Sequence, residues 1–105
     1  MKYVPQIPPK YRSRTDIVAQ ILQAANGYSD GASKSRIMYY GAFLSYAQLK
    51  EYLAVLIQNG LLEYCEGTQT YKTTEKGLKF LHIYEEIKQL VEGTTDSSLL
   101  REVQK

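Results

Sequence analysis

Residues Ser33 to Gly77, SKSRIMYYGAFLSYAQLKEYLAVLIQNGLLEYCEGTQTYKTTEKG, constrain this chain more than any other stretch. Two helical patterns lie there a few residues apart, followed at once by two short strand patterns around a glycine turn. Ser45 and Gln48 make an S-x-x-Q capping box, in which each side chain satisfies the other's orphan backbone donor. They open a helix in which Leu49, Leu53, Leu56 and Ile57 share one face and Tyr52 flanks it. On the other side lie Ala47, Gln48, Lys50, Glu51, Ala54 and Gln58. Gly60 supplies the left-handed position that ends it. Leu61 to Glu66 and Thr70 to Thr73 then read as strands joined by Gly67-Thr68-Gln69, packing through Leu62, Tyr64 and Tyr71. This order predicts a mainly α (α+β) chain: a winged helix-turn-helix that sets one helix beside one β-loop.

The flanking segments extend that frame. Residues 1–12 hold all three prolines and Lys2, Lys10, Arg12, Tyr3 and Tyr11. Proline removes backbone donors and turns its predecessor away from helix, so an extended basic arm is expected, either following a phosphate backbone or packing loosely. Residues 13–74 form the winged domain. Its first helix starts at Ser13 with Asp16 three residues on, carries Ile17, Ile21, Leu22, Ala24 and Ala25 inward, and stops at Asn26-Gly27. Tyr28 to Gly31 is a turn-rich connector. Ser33 caps a second helix with Ile37 and Met38 facing the core; Gly41 ends it and Phe43-Leu44 makes the turn. Thr73 or Thr74 caps a long helix over 75–92, and 93–105 is a tail.

The last helix is too apolar for a single contact surface. Phe80, Ile83, Ile87 and Leu90 step by three, four and three, a coiled-coil seam, and Leu81, Tyr84 and Val91 form a stripe beside it. Leu78 can reach back to the domain. One stripe covers the domain's core; the other requires a partner, so this is a dimerisation helix with Phe80, Ile83, Tyr84, Ile87, Leu90 and Val91 as interface candidates.

Composition narrows the function. The chain has 105 residues and a formal net charge of only +2. Residues 1–50 contain seven Lys/Arg against two Asp, 7 − 2 = +5; residues 51–105 contain six against nine acids, 6 − 9 = −3. The positive excess thus lies on the helix-turn-helix half. Ten tyrosines against two Phe and no Trp suit a core and rim role, with hydroxyls left for water or phosphate. Cys65 is the only cysteine, which rules out an intrachain disulfide and a cysteine zinc site and makes it an apolar filler. No apolar run of about eighteen residues and no charged-then-apolar leader occurs; a soluble, cytoplasmic and nucleoid-associated protein is expected, with no membrane partner.

Catalytic chemistry has no foothold. His82 is the only histidine and lacks a companion ligand. Glu85 and Glu86 are helix neighbours that diverge, and neither a G-x-G-x-x-G nor a G-x-x-x-x-G-K-S/T loop exists. No catalytic residue, metal, cofactor or small-molecule partner is expected.

A reading helix presents its first turns to the major groove, where base edges differ. Ser45, Tyr46, Gln48 and Lys50 occupy those turns. Gln48 can pair with an adenine edge, although the capping box alone also explains it, and Lys50 can reach guanine or phosphate. Lys34 and Arg36 open the preceding helix, where phosphate contacts orient the reader. Thr68, Gln69 and Lys72 mark the wing, on the backbone at most. Lys10, Arg12 and Arg14 add cations from the arm and the first helix.

SRIMYY, LSYAQLKEYLAVLIQNGLLEY and YKTTEKGLKFL, occurring in that order over roughly 14–91, resemble the archaeal winged helix-turn-helix proteins classed as predicted transcriptional regulators. They are also similar to small chromatin-associated DNA-binding proteins that dimerise through an antiparallel coiled coil. The resemblance implies Tyr46, Gln48 and Lys50 in the reading position, Gly67–Gln69 as wing tip and Phe80–Val91 as dimer helix; the arm and the tail lie outside it. The expectation is a homodimeric double-stranded DNA-binding transcriptional regulator, with residues 45–59 in the major groove. The alternatives are a winged-helix protein-interaction module and a chromatin-packaging protein without sequence specificity.

Overall fold

The computed structural model describes residues 13–42 and 44–92. In chain order it contains α1 (Arg14–Asn26), α2 (Lys34–Ile37) running into a π-helical turn (Met38–Ala42), α3 (Tyr46–Gln58), β1 (Leu62–Cys65), β2 (Thr70–Thr73) and α4 (Glu75–Glu92). Lys10, Arg12, Phe43 and the 93–105 tail lie outside the described residues.

The helix starts follow from local chemistry. Ser13 accepts from the Asp16 amide at 3.0 Å while the Asp16 carboxylate accepts from the Ser13 amide at 3.1 Å. Ser33 accepts from the Arg36 amide at 3.2 Å. Ser45 and Gln48 close the expected box, with bonds of 3.0 and 3.1 Å. Gly60 adopts φ +80° past the end of α3. The second helix departs from expectation: the chain does not stop at Gly41 but widens into the π-helical turn.

Ile17, Ile21, Leu22 and Ala25 of α1 meet Ile37, then Leu49, Leu53 and Leu56 of α3, with Leu62 and Tyr71 closing the core from the hairpin. Burying each large side chain is worth about 1.5–3 kcal/mol. Three expected core residues lie outside it. Ile57, Tyr64 and Leu78 are all exposed. Ile57 sits one position past Leu56, rotated off the buried face by the helical period. Tyr64 shares the sheet face of Leu62 and packs its ring 5.0 Å from that of its register partner Tyr71, but at the solvent-exposed margin of that face, and Leu81 takes the inward role expected of Leu78.

β1 and β2 pair antiparallel with Tyr64 opposite Tyr71 and Glu63 opposite Lys72. A third partner comes from the connector before α2: Ala32 and Tyr71 exchange backbone bonds of 2.8 and 2.9 Å. β2 is thereby paired on both edges, with β1 on one and with the connector before α2 on the other, which offsets the marginal stability of a two-stranded ribbon. Thr73 adds a hydroxyl bond to the Leu22 carbonyl at 2.7 Å.

α4 is anchored at its start. The Thr74 hydroxyl accepts from the Gly77 amide at 3.0 Å and donates to the Gly60 carbonyl at 2.6 Å. The Lys76 ammonium meets the Asn59 carbonyl at 2.8 Å, a cation on the negative end of α3. Further along, Phe80 and Leu81 cover the core, and the Tyr84 hydroxyl donates to Asp16 at 2.5 Å. No helix among the described residues is long and apolar enough to cross a membrane.

Candidate nucleic-acid interface

α3 starts in the open because its buried leucines begin only at Leu49. Ser45, Tyr46, Ala47, Gln48, Lys50 and Glu51 are all exposed, Tyr46 by 52%. Between residues 33 and 59 the charged groups are Lys34, Arg36 and Lys50 against Glu51 alone, 3 − 1 = +2. The surface that would face DNA is therefore cationic and unoccluded.

Its centre is Tyr46. The Lys34 ammonium donates to the Tyr46 hydroxyl at 3.0 Å. The Lys34 and Lys50 ammonium groups lie 5.1 and 5.5 Å from the ring centre, within cation–π range. The hydrogen bond to Lys34 is the main reason the Tyr46 hydroxyl is held below the usual tyrosine range, and the same bond raises Lys34 above the usual lysine range. The cluster sets two ammonium groups against one ring.

Gln48 is exposed, but its carbonyl oxygen already accepts the Ser45 amide. Reading an adenine with both ends of the amide competes with that cap, whereas its amino group is available without cost. Arg14 stands on the other flank of α3, lining with Gln48, Glu51 and Tyr52 an open groove between α1 and α3. The structure thus groups Lys34, Tyr46 and Lys50 on one side of the helix and Arg14 and Gln48 on the other.

The wing is less cationic. Thr68 and Thr70 share a hydroxyl bond of 2.6 Å, and Thr70 donates to the Asp30 carbonyl at 2.9 Å. Gln69 occupies the left-handed region at φ 56°, which aims the tip. Lys72 is exposed, but its register partner is Glu63. With Glu63 and Glu66 against Lys72, residues 61–73 carry 1 − 2 = −1.

Sequence reasoning missed one surface. Arg36 lies 4.6 Å from the centre of Tyr28, Tyr28 is 6.1 Å from Tyr40, and Tyr40 stands edge-on to Tyr39 at 5.1 Å. A hydrogen bond with Tyr28 is the leading cause that pushes the Tyr40 hydroxyl up. The signal was present: two adjacent tyrosines on a helix cannot both face a core.

On α4, Phe80 and Tyr84 are used within the protomer, and Ile83, Ile87, Leu90 and Val91 are exposed. His82 is exposed and 3.3 Å from Glu86. No group of three metal-capable side chains occurs among the described residues.

A family model described as winged helix-turn-helix matches residues 11–92. No curated protein matches the sequence. Among solved structures, the crystal structure of Sso10a-2, a DNA-binding protein from Sulfolobus solfataricus, is similar with a TM-score of 0.62 and 26% identity. The match covers 90% of this chain and 98% of that one.

Proposed function

The chain belongs to the winged helix-turn-helix family, and from that premise we propose that it binds double-stranded DNA as a homodimeric transcriptional regulator. The observation that carries this reading is the Lys34–Tyr46–Lys50 cluster, where the half-buried Lys34 at the start of α2 meets the exposed Tyr46 and Lys50 of α3, with Arg36 beside it and one carboxylate nearby. α3 enters the major groove by its first turns, and the Lys34 and Arg36 cations hold the flanking phosphates. The wing, with one lysine against two glutamates, rests on the backbone through Thr68, Gln69 and Lys72. The likeness to a DNA-binding protein over nearly the whole chain supports the same reading.

Titration of labelled duplexes against salt tests it. With about five phosphates neutralised per protomer, log affinity falls with log salt at a slope of roughly −4 to −5. Lys34→Glu with Arg36→Glu abolishes binding. Salt-independent binding, or a double variant that binds as before, refutes the assignment.

The exposed apolar ridge of α4 favours a second reading, a protein-interaction module that binds no DNA; the double variant would then leave the partner complex intact. A genome-wide occupancy map separates a regulator, with few sharp peaks, from a nucleoid-packaging role with broad coverage.

A further inference from the structure

We propose that Tyr28, Tyr39 and Tyr40, together with Arg36, form a stacking platform for unpaired nucleotides, a second nucleic-acid surface beside the groove-reading helix. Tyr39 is 81% exposed and Tyr40 58%. Leaving two large rings in water forgoes the burial that usually holds tyrosine in a fold. They are nevertheless ordered against each other: Tyr40 meets Tyr39 edge-on at 5.1 Å and Tyr28 at 6.1 Å. An edge-on pair fixes ring orientation while leaving ring faces accessible. The backbone beneath them is the π-helical turn Met38–Ala42, a form that is rare and concentrated at functional sites.

The charge identifies the occupant. Arg36 lies over Tyr28 and makes no ion pair with a carboxylate among the described residues. Lys34, two residues earlier, is likewise without a carboxylate partner there. Rings with open faces beside unneutralised cations fit a polymer that carries flat bases on an anionic backbone, which is how single strands are held without sequence preference. A paired duplex hides its base faces within the stack, so this surface favours single-stranded DNA or RNA, or the melted part of a duplex. The proposal does not depend on the duplex reading above.

The test measures anisotropy of labelled oligomers of about 12 nucleotides: oligo-dT, oligo-U and an abasic strand of equal length, with a duplex in parallel. Tyr39→Ala with Tyr40→Ala weakens oligo-dT binding roughly tenfold or more, whereas Tyr39→Phe with Tyr40→Phe stays within about twofold because the rings remain. The abasic strand binds the original chain as weakly as oligo-dT binds the alanine variant. Duplex affinity stays within about twofold in both variants. Comparing oligo-dT with oligo-U shows whether DNA or RNA is preferred. The proposal is overturned if oligo-dT and oligo-U both fail to bind, if alanine leaves them unaffected, or if the abasic strand binds equally well. Tyrosine-dependent single-strand binding without any duplex binding would overturn the duplex reading and leave this one standing.

Discussion

The ammonium of Lys34 donates to the hydroxyl of Tyr46 at 3.0 Å and lies 5.1 Å from the centre of its ring. This contact joins the first turn of α2 to the first turn of α3 and so ties together the two helices of the helix-turn-helix. Its consequence is a pH dependence. Tyr46 is held below its ordinary pKa of 10.0 chiefly by the Lys34 bond, so as pH rises the phenolate forms earlier than at a free tyrosine. In the proposed binding mode a negative charge then faces the duplex. DNA affinity, measured at constant ionic strength from about pH 7 to about pH 10, falls across the upper part of that range, and Tyr46→Phe removes the fall. The raised Lys34 pKa works the other way round for folding. Its contribution is present below the ordinary value of 10.5 and is lost as pH climbs through the raised one.

Gln48 serves the cap and, in the proposed binding mode, faces the groove, and one substitution separates the two. Gln48→Glu keeps a capping-box acceptor and adds a charge that suits a helix N-terminus, so stability changes by less than about 0.5 kcal/mol. The same carboxylate meets phosphate repulsion, and DNA affinity drops about tenfold. Ser45→Ala does the reverse, costing about 1 kcal/mol of stability. Urea unfolding and anisotropy on both variants check the separation; equal losses in the two assays would mean Gln48 acts only through the cap.

What was legible in the residues was whatever depends on neighbours in sequence. The capping boxes at Ser13 and Ser45 and the left-handed Gly60 follow from local hydrogen bonding, so they read directly. The bridge from Ala32 to Tyr71 joins residues far apart in sequence, and the connector that supplies it looks like an ordinary turn. Ile57 and Tyr64 were assigned inward because periodicity marks a face without fixing its width. The π-helical turn has no signature in a five-residue string, and with it went the tyrosine platform. That Lys34 and Lys50 come together at Tyr46 follows from the helix-turn-helix order, which sets the starts of its two helices side by side.

Gly77 lies where α4 crosses the end of β1's leading residue. A Cβ there would stand 2.4 Å from the Leu61 carbonyl oxygen and 2.6 Å from the Thr73 methyl. The first neighbour is backbone and cannot swing away. Gly77→Ala therefore costs about 3 kcal/mol in urea unfolding, the upper end of overpacking, despite alanine's better helix propensity. Gly31, at φ +90° with the Tyr71 carbonyl 2.9 Å from a built Cβ, is equally intolerant. An alanine at either position with unchanged stability would contradict this backbone approach.

Tyr84 holds Asp16, and through it α4 to the start of α1. The Tyr84 hydroxyl is the largest cause of the lowered Asp16 pKa, followed by opposing burial and by the bonds from Ser13. A depressed carboxylate contributes stability above its unfolded value of 3.8 and loses it as pH falls through the lower folded value. Tyr84→Phe is thus less stable by about 1 kcal/mol at neutral pH, and the gap narrows below about pH 4. Thermal melts of both proteins across that range measure it; a gap that is constant with pH would assign the loss to packing alone.

α4 continues past Tyr84 with Ile83, Ile87, Leu90 and Val91 exposed, the last two by 82% and 77%. Ile83, Ile87 and Val91 follow each other at steps of four along one ridge, beside an open groove against Ser13 and Thr15. If two copies pair along this ridge, each isoleucine removed from water is worth about 1.5–3 kcal/mol, and a carboxylate placed there has no partner to satisfy it. Ile83→Asp with Ile87→Asp therefore raises the dimer dissociation constant by at least about a hundredfold, giving monomers in sedimentation at micromolar protein. The protomer fold is retained, because neither side chain belongs to the buried core. Binding to a duplex with two half-sites weakens more than binding to one half-site, since pairing fixes the separation of the two reading helices near about 34–36 Å or a multiple of it. Dimers that persist in this variant would move the interface off α4, and unchanged two-site binding would remove dimerisation from recognition altogether.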